Sequence, residues 1–215
     1  MFTFFEHIYS KLLRGEGVDK LLWKLTPNGV FDVHSFYNSL SDPPTILFPG
    51  KCIWSVKVPK RVSFFLWTSA RDCILTIDNL VKRNLPLVKR CSLSCCNGET
   101  VDHLLLYCKF SHALWREVFL MFGIQWVMPR TVASVLFAWK NHLGVHPSTT
   151  WNMVPACLMW VIWRERNTRN FEDVERSVDL LKSLLIGTLF EWSHIWGFTQ
   201  CVSIFYFLQS ALVSF

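Results

Sequence analysis

The sequence predicts a mainly α-helical protein with a small N-terminal β-hairpin, a cysteine-rich loop and an α-helical C-terminal half. Three observations support this fold class. A Pro-Asn-Gly turn at residues 27–29 separates two short runs of alternating apolar residues, as in a hairpin. Four of the eight cysteines lie with one histidine in residues 91–108. After residue 108, apolar residues recur at helical spacing almost to the C-terminus.

The composition indicates a folded chain with a large core. Of its 215 residues, 51% are hydrophobic and 15% aromatic, which excludes a disordered or low-complexity protein. Eleven tryptophans and 18 phenylalanines indicate large buried faces, a surface that a partner normally covers, or membrane contact. Since no secretory signal is visible, we expect an intracellular protein of the nucleus or cytoplasm that is not secreted and whose cysteines are reduced.

The N-terminal elements follow from local patterns. Residues 23–33 are predicted to form the hairpin, with Trp23 on one strand and Phe31 on the other. A short helix is expected at residues 35–40. Three prolines and a glycine make residues 41–50 a connection.

Two helices are predicted before the cysteine-rich loop. Pro59 suits the first turn of one helix. Its apolar face consists of Val62, Phe65, Leu66 and Ser69. Thr76 is expected to cap a further short helix that runs through Arg83.

Helices are predicted throughout the C-terminal half. Ser111 can cap the first of them, and Gly123 can close it. Its apolar stripe consists of Leu114, Trp115, Val118, Phe119 and Phe122. Further helices are expected at about residues 130–143, 150–170 and 175–195.

The net charge of +6 is concentrated in one segment. Residues 51–90 contain nine basic and two acidic residues, so the rest of the chain is close to neutral. The basic segment leads directly into the cysteine-rich loop. Uncharged residues 196–215 reach the length of a bilayer span, but several polar residues interrupt them, so we do not favour a membrane span.

The loop, "CSLSCCNGETVDHLLLYC" at residues 91–108, contains candidate metal ligands. Zinc is held tetrahedrally by thiolates and imidazoles, which short loops supply in pairs. One pair, His103 and Cys108 with four residues between them, has the spacing of small zinc knuckles. The other pair is irregular, because Ser94 stands where the second cysteine of a Cys-x2-Cys turn would be. The candidate ligands are Cys91, His103 and Cys108, with Cys95 or Cys96 as the fourth. The sequence therefore predicts a zinc-knuckle-like loop, and ordinary thiols in a loop are the alternative.

A longer set of residues reproduces a known pattern in order and spacing. It consists of Trp23, Gly29, Phe31, Val33, Ser35, Tyr37, Ile53, Trp54, Pro59, Lys60, Phe65, Leu66, Trp67, Leu75, Thr76, Leu80, Arg83, Cys91, Glu99, His103, Leu104, Cys108 and Trp115. These residues resemble the zinc-binding region that follows the reverse transcriptase domain in plant LINE-like, non-LTR retrotransposons. The helical remainder is similar to the tail that often follows this region.

The resemblance implies a domain organisation and a zinc site. The expected segments are an N-terminal tail (1–19), a reverse transcriptase zinc-binding-like domain (20–122), a helical C-terminal region (123–195) and an apolar tail (196–215). The family's second cysteine falls at Ser94. The implied zinc ligands are therefore Cys91, Cys95, His103 and Cys108, with Cys96 as the alternative to Cys95.

The resemblance also implies a nucleic-acid-binding accessory module without the polymerase domain, with RNA or DNA as partner. The basic residues expected to contact nucleic acid are Lys82, Arg83, Lys89 and Arg90. Trp54 or Trp67 would stack on bases if exposed, although Trp67 and Trp115 lie in apolar helix stripes and are predicted to be in the core. The alternatives are a module that packs against the reverse transcriptase domain or another protein, and a degenerate fragment without activity.

We do not expect this chain to be an enzyme. Polymerase chemistry needs clustered carboxylates that hold two metal ions, and the eight aspartates include no adjacent pair. Asp102 and His103 beside Cys108 could form a nucleophilic thiol with its base. We favour instead a zinc-binding histidine that follows a helix-capping or supporting aspartate.

Overall fold

The computed structural model describes residues 22–40, 48–141 and 149–207. The chain divides into two compact units, Met1–Ile46 and Leu47–Phe215. The helices are α1 (Val33–Leu40), α2 (Gly50–Trp54), α3 (Lys60–Ala70), α4 (Ile77–Lys82), α5 (Lys109–Met121), α6 (Val132–Asn141), α7 (Thr149–Phe171) and α8 (Val178–Ile195), with a π-helical turn at His103–Tyr107. The mainly α-helical fold class is confirmed.

The boundaries of the four predicted segments stay predictions. The N-terminal tail at 1–19 lies outside the described residues. So do residues 41–47 of the predicted connection and residues 208–215 of the apolar tail.

The predicted β-hairpin at residues 23–33 is wrong, because the described residues contain no strand. The backbone forms a tight loop instead, in which the Trp23 amide donates to the Gly29 carbonyl over 2.7 Å. The Thr26 hydroxyl donates to the Val30 carbonyl over 2.7 Å. These local bonds occupy backbone amide and carbonyl groups that would otherwise pair between two strands.

The chain then enters α1 where the hairpin prediction placed a second strand. The Asp32 carboxylate accepts from the Ser35 amide over 2.8 Å, so Asp32 caps the helix. The Trp23 ring packs edge-on against Phe31, with 5.0 Å between ring centroids, and its indole nitrogen donates to the Ser35 hydroxyl over 2.6 Å. The same alternating residues thus form a small aromatic cluster.

Helix α7 is the centre of the larger unit. It contacts α3, α5, α6, α8 and the π-helical turn. Its buried side chains include Trp151, Met153, Val154, Cys157, Leu158, Met159 and Ile162. A helix that is apolar on most sides belongs in a core, which explains why its sequence shows little amphipathic pattern.

Tryptophan rings fill the space between α5, α6 and α7. Trp115 and Trp151 are 1% and 0% exposed, so the prediction that Trp115 lies in the core is confirmed. The rings of Trp139 and Trp151 stack with centroids 4.2 Å apart. Pro155 has no amide hydrogen to donate to the Trp151 carbonyl, which accepts instead from the Trp139 indole over 3.1 Å. Much of the aromatic content is therefore core.

Helix α4 positions the start of the cysteine-rich region. The Thr76 side chain accepts from the Asn79 amide, as the capping prediction required. The Asn79 side chain then donates to the carbonyls of Asp72 and Ile74 over 2.7 and 2.9 Å. These three bonds thus connect the residues between α3 and α4 to the start of α4.

Among the residues that the structure describes, no helix combines the length and the apolar character that crossing a bilayer requires. The candidate segment at residues 196–215 lies only partly within them.

Candidate metal centre

Three side chains of the cysteine-rich loop converge on one point. The ligand atoms of Cys91, His103 and Cys108 all lie within 4.8 Å of one another. Both cysteines are free and 0% exposed, and their sulfur atoms are 3.8 Å apart. A disulfide would need about 2.05 Å. Two thiolates on one tetrahedral zinc ion, each about 2.3 Å from the metal, would be separated by about 3.8 Å.

The π-helical turn explains how two of these ligands meet. The Cys108 amide donates to the His103 carbonyl over 2.6 Å, five residues back, so both side chains leave the same turn. The Thr100 hydroxyl accepts from the His103 amide over 3.1 Å at its start. The buried Trp115 indole donates to the Leu105 carbonyl over 2.9 Å and fixes the turn from α5. The backbone of the π-helical turn therefore holds the side chains of His103 and Cys108 close together.

The third candidate ligand, Cys91, lies in a short closed loop. The Cys91 amide donates to the Asn97 carbonyl over 2.9 Å, and the Cys95 amide donates to the Cys91 carbonyl over 2.9 Å. Cys95 and Asn97 both have positive φ angles, of 55° and 57°. This left-handed conformation lets the chain reverse tightly between Cys91 and Gly98.

The donor chemistry of the cluster fits a zinc ion. The buried Nε2 atom of His103 has no hydrogen-bond partner. Such an atom loses its hydration without compensation, unless a metal takes its lone pair or a proton donor reaches it. Two sulfurs and one unsatisfied imidazole nitrogen are the donor set that zinc prefers.

The two thiols are electrostatically linked. The hydrogen bond between the two sulfurs lowers the pKa of the Cys91 thiol, burial opposes this effect, and Ser94 and Leu93 add smaller lowering contributions. The same contact raises the pKa of Cys108, because the remaining proton is held between the two sulfurs. A bound divalent cation would stabilise both as thiolates.

Ser94 acts on both thiols of the cluster. This residue is 7% exposed, its hydroxyl donates to the Cys96 carbonyl over 3.1 Å, and it contributes to the lowered pKa of Cys91 and opposes the rise in the pKa of Cys108. Cys95 and Cys96 are both exposed, and Cys95 is not among the three residues that converge. The structure therefore brings together three of the four expected ligands and places Ser94 beside them.

The expected nucleic-acid-binding residues differ in their surroundings. Lys82 forms ion pairs with Asp78 over 2.8 Å and with Asp72 over 3.5 Å, which raises the pKa of its ammonium group. Its charge is partly balanced within the protein. The other three, Arg83, Lys89 and Arg90, are exposed, and the described part of the chain provides them with no acidic partner.

Asp102 has a helix-capping role. Its carboxylate accepts from the Val132 amide over 2.8 Å at the start of α6. Burial raises the pKa of Asp102, although the bond from Val132 opposes that effect. Asp102 thus connects the cysteine-rich loop to α6. This contact agrees with the interpretation of Asp102 as a helix-capping residue.

A buried ion pair between the cysteine-rich loop and α7 was not predicted. Glu99 is 0% exposed, and its Oε1 accepts from Arg166 Nη2 of α7 over 2.8 Å and from Arg166 Nε over 3.1 Å. The same carboxylate accepts from the amides of Ile77 and Ser92 over 3.0 and 2.8 Å. The signal was a charged run, "RER" at residues 164–166, directly after an apolar helical segment.

Comparison with known proteins finds sequences similar to this part of the chain. Residues 31–115 match the family model described as zinc-binding in reverse transcriptase. A curated relative from Arabidopsis thaliana, named "Putative ribonuclease H protein", is 26% identical over 170 residues. The alignment covers 76% of this chain but 27% of the relative, so the chain spans about a quarter of that protein's length. No solved structure matches the chain.

The family match includes all three converging residues, Cys91, His103 and Cys108. Together with the plant relative, it confirms the resemblance to retrotransposon-related proteins that the sequence motifs predicted. Over residues 31–115 the chain is therefore similar to the zinc-binding regions found in reverse transcriptases.

Proposed function

We propose that this chain is a zinc-binding accessory module of a plant non-LTR retrotransposon reverse transcriptase, that it binds RNA or DNA, and that it carries no catalytic activity of its own. One observation carries the proposal. A cluster with the donor set of a zinc site lies directly after exposed cations that have no acidic partner among the described residues. The ion would hold the loop and the basic segment in one fixed arrangement.

Cys91, His103 and Cys108 would hold the zinc ion. A bound zinc ion supplies a structural cross-link between the loop that contains Cys91 and the turn that contains the other two ligands. The fourth ligand would be the Ser94 hydroxyl or a water molecule, because Cys95 would have to turn inward from an exposed position. A neutral hydroxyl is a weaker zinc ligand than a thiolate, so we expect a weaker site than one with four thiolate or imidazole ligands.

The basic segment would contact phosphates. Arg83, Lys89 and Arg90 are exposed, and Arg90 immediately precedes the buried Cys91. Each phosphate neutralised by such a residue releases condensed counterions, which makes binding strongly dependent on salt. Because Lys82 is already paired with two aspartates, we expect it to contribute less than the other three.

We expect alanine substitution of both Lys89 and Arg90 to weaken binding to a fluorescein-labelled 20-nucleotide RNA. The slope of log Kd against log salt should fall by about 0.7 for each phosphate that the variant no longer neutralises. Fluorescence anisotropy of the zinc-loaded chain between 50 and 200 mM salt measures both quantities.

Lys182→Ala is the control for this experiment, because Lys182 is paired with Glu117 over 3.0 Å. It should leave the slope unchanged. If the unmodified chain does not bind RNA or single-stranded DNA at 50 mM salt, the nucleic-acid part of the proposal is wrong.

A second candidate function is protein binding. The N-terminal unit exposes an apolar surface that includes Leu22, Leu25, Val30, Phe31, Val33 and Tyr37. A patch of this kind is typical of a protein interface. The reverse transcriptase domain is the partner that the family match suggests, and a pull-down with that domain would test it.

A further inference from the structure

A second basic segment includes α2 and α3 and contains none of the basic residues named above. Residues 48–71 contain five basic residues and no acidic residue. All five are exposed, and they are Lys51, Lys57, Lys60, Arg61 and Arg71. A segment with this charge attracts polyanions and repels basic partners.

Aromatic rings lie between the cations of this segment. Lys60, Phe64 and Trp67 of α3 and Arg71, which directly follows α3, are spaced at intervals of four, three and four residues, so they share one side of the helix. We call these four residues the α3 stripe. The opposite side of α3, which includes Val62, Phe65 and Leu66, is buried in the core.

The rings of the stripe form a platform. Phe64 and Trp67 stack with centroids 5.8 Å apart and ring planes 26° apart. Phe64 is nevertheless 58% exposed, and Trp67 is partly buried at the edge of the core. The prediction that Trp67 lies in the core therefore holds for only part of its surface. A large exposed ring beside a second ring is costly in water unless a partner covers it.

Arg71 completes the platform. Its guanidinium lies 4.6 Å from the centre of the Trp67 ring and 4.8 Å from that of Phe48, so it is held between two aromatic side chains. Stacking uses the faces of the guanidinium and leaves its N–H edge available for an oxygen acceptor. No side chain in the described parts of the chain accepts a hydrogen bond from it or forms an ion pair with it.

We propose that the α3 stripe is a binding surface for single-stranded nucleic acid. Bases would stack on Phe64 and Trp67, while Lys60 and Arg71 would contact the phosphates on either side. The paired bases of a duplex would not be available to the rings. The proposal rests on the proposed function, to which it adds a stacking site and a preference for single strands.

The charge of residues 48–71 favours single-stranded nucleic acid as the partner over an ordinary protein. Five cations without an acid match a continuous run of phosphates, and stacked aromatic rings match unpaired bases of any sequence. Binding without sequence preference is therefore expected.

The test compares variants of the full chain with fluorescein-labelled 20-nucleotide uridine RNA. Phe64→Ala should raise the Kd about tenfold, since it removes one stacked base. Arg71→Gln should lower the salt slope by about 0.7. Phe171→Ala is the matched control, because Phe171 is 78% exposed at the end of α7 and should bind RNA like the unmodified chain.

The outcomes separate the two proposals. If the Lys89 and Arg90 substitutions weaken RNA binding but Phe64→Ala and Arg71→Gln do not, the α3 stripe does not bind RNA, and the proposed function stands. If the unmodified chain binds no RNA, both are wrong. If Phe64→Ala weakens binding to a polyglutamate peptide while RNA binding is unaffected, the stripe belongs to an acidic protein partner, and the proposal is overturned.

Discussion

Replacing Glu99 by alanine is expected to lower the free energy of unfolding by about 3–5 kcal/mol. The substitution would leave the Arg166 guanidinium, 4% exposed, as a buried charge without its partner. It would also remove the acceptor for the Ile77 and Ser92 amides. Since small domains are stable by about 5–15 kcal/mol, this loss is a large share of the total. Urea unfolding followed by circular dichroism measures it.

Glu175→Ala is the matched control. Glu175 also pairs with an arginine, Arg169, but it is 73% exposed and the distance is 3.6 Å. Exposed pairs contribute about 0–1 kcal/mol, so this variant should unfold almost like the unmodified chain. Replacing Glu99 by leucine and Arg166 by methionine together should recover part of the loss, because neither charge of this pair is then left buried without the other. Similar stabilities for Glu99→Ala and Glu175→Ala would contradict this role of the ion pair.

Removal of zinc is expected to destabilise the chain by a comparable amount. A ligand that binds only the folded state adds about 4 kcal/mol when its free concentration is 1,000 times its Kd. Without the ion, His103 Nε2 is buried without a partner and the thiols of Cys91 and Cys108 compete for one proton. Thermal unfolding in excess zinc and in excess chelator, both with a reducing agent, measures the difference.

Cysteine substitutions identify the source of this stabilisation. Cys108→Ala should abolish the dependence of the unfolding temperature on zinc, because it removes a buried ligand. Cys73→Ala should keep that dependence, since Cys73 is exposed and lies outside the cluster. A zinc dependence that survives in Cys108→Ala would place the ion elsewhere.

Patterns local in sequence were predictable. The Thr76 cap, the apolar face of α3 and the long C-terminal helices follow from periodicity and capping chemistry, which need only neighbouring residues. The pairing of His103 with Cys108 was likewise predictable, because one turn of backbone holds both. The alternating apolar residues after Trp23 are compatible with a strand or with a loop and a helix. The structure has a helix, which Asp32 caps, where the second strand of the hairpin was predicted.

Features that depend on distant residues were not predictable. Glu99 and Arg166 are separated by 67 positions, and nothing in either local sequence specifies the other. The stacking of Arg71 between Phe48 and Trp67 depends on how the chain before α3 returns to it. The positions of Ser94 and Cys95 relative to the ligands follow from left-handed residues in the loop, which the sequence does not reveal.

The most direct test of the metal centre is the zinc content of the intact chain, measured by native mass spectrometry under reducing conditions. We predict one zinc ion per chain, lost in His103→Ala and Cys91→Ala but retained in Cys95→Ala. Ser94→Cys should hold the ion at chelator concentrations that remove it from the unmodified chain, because a thiolate would replace a neutral oxygen at the fourth position. A chain without zinc both unmodified and as Ser94→Cys, or a His103→Ala variant that keeps the ion, would contradict the site described above.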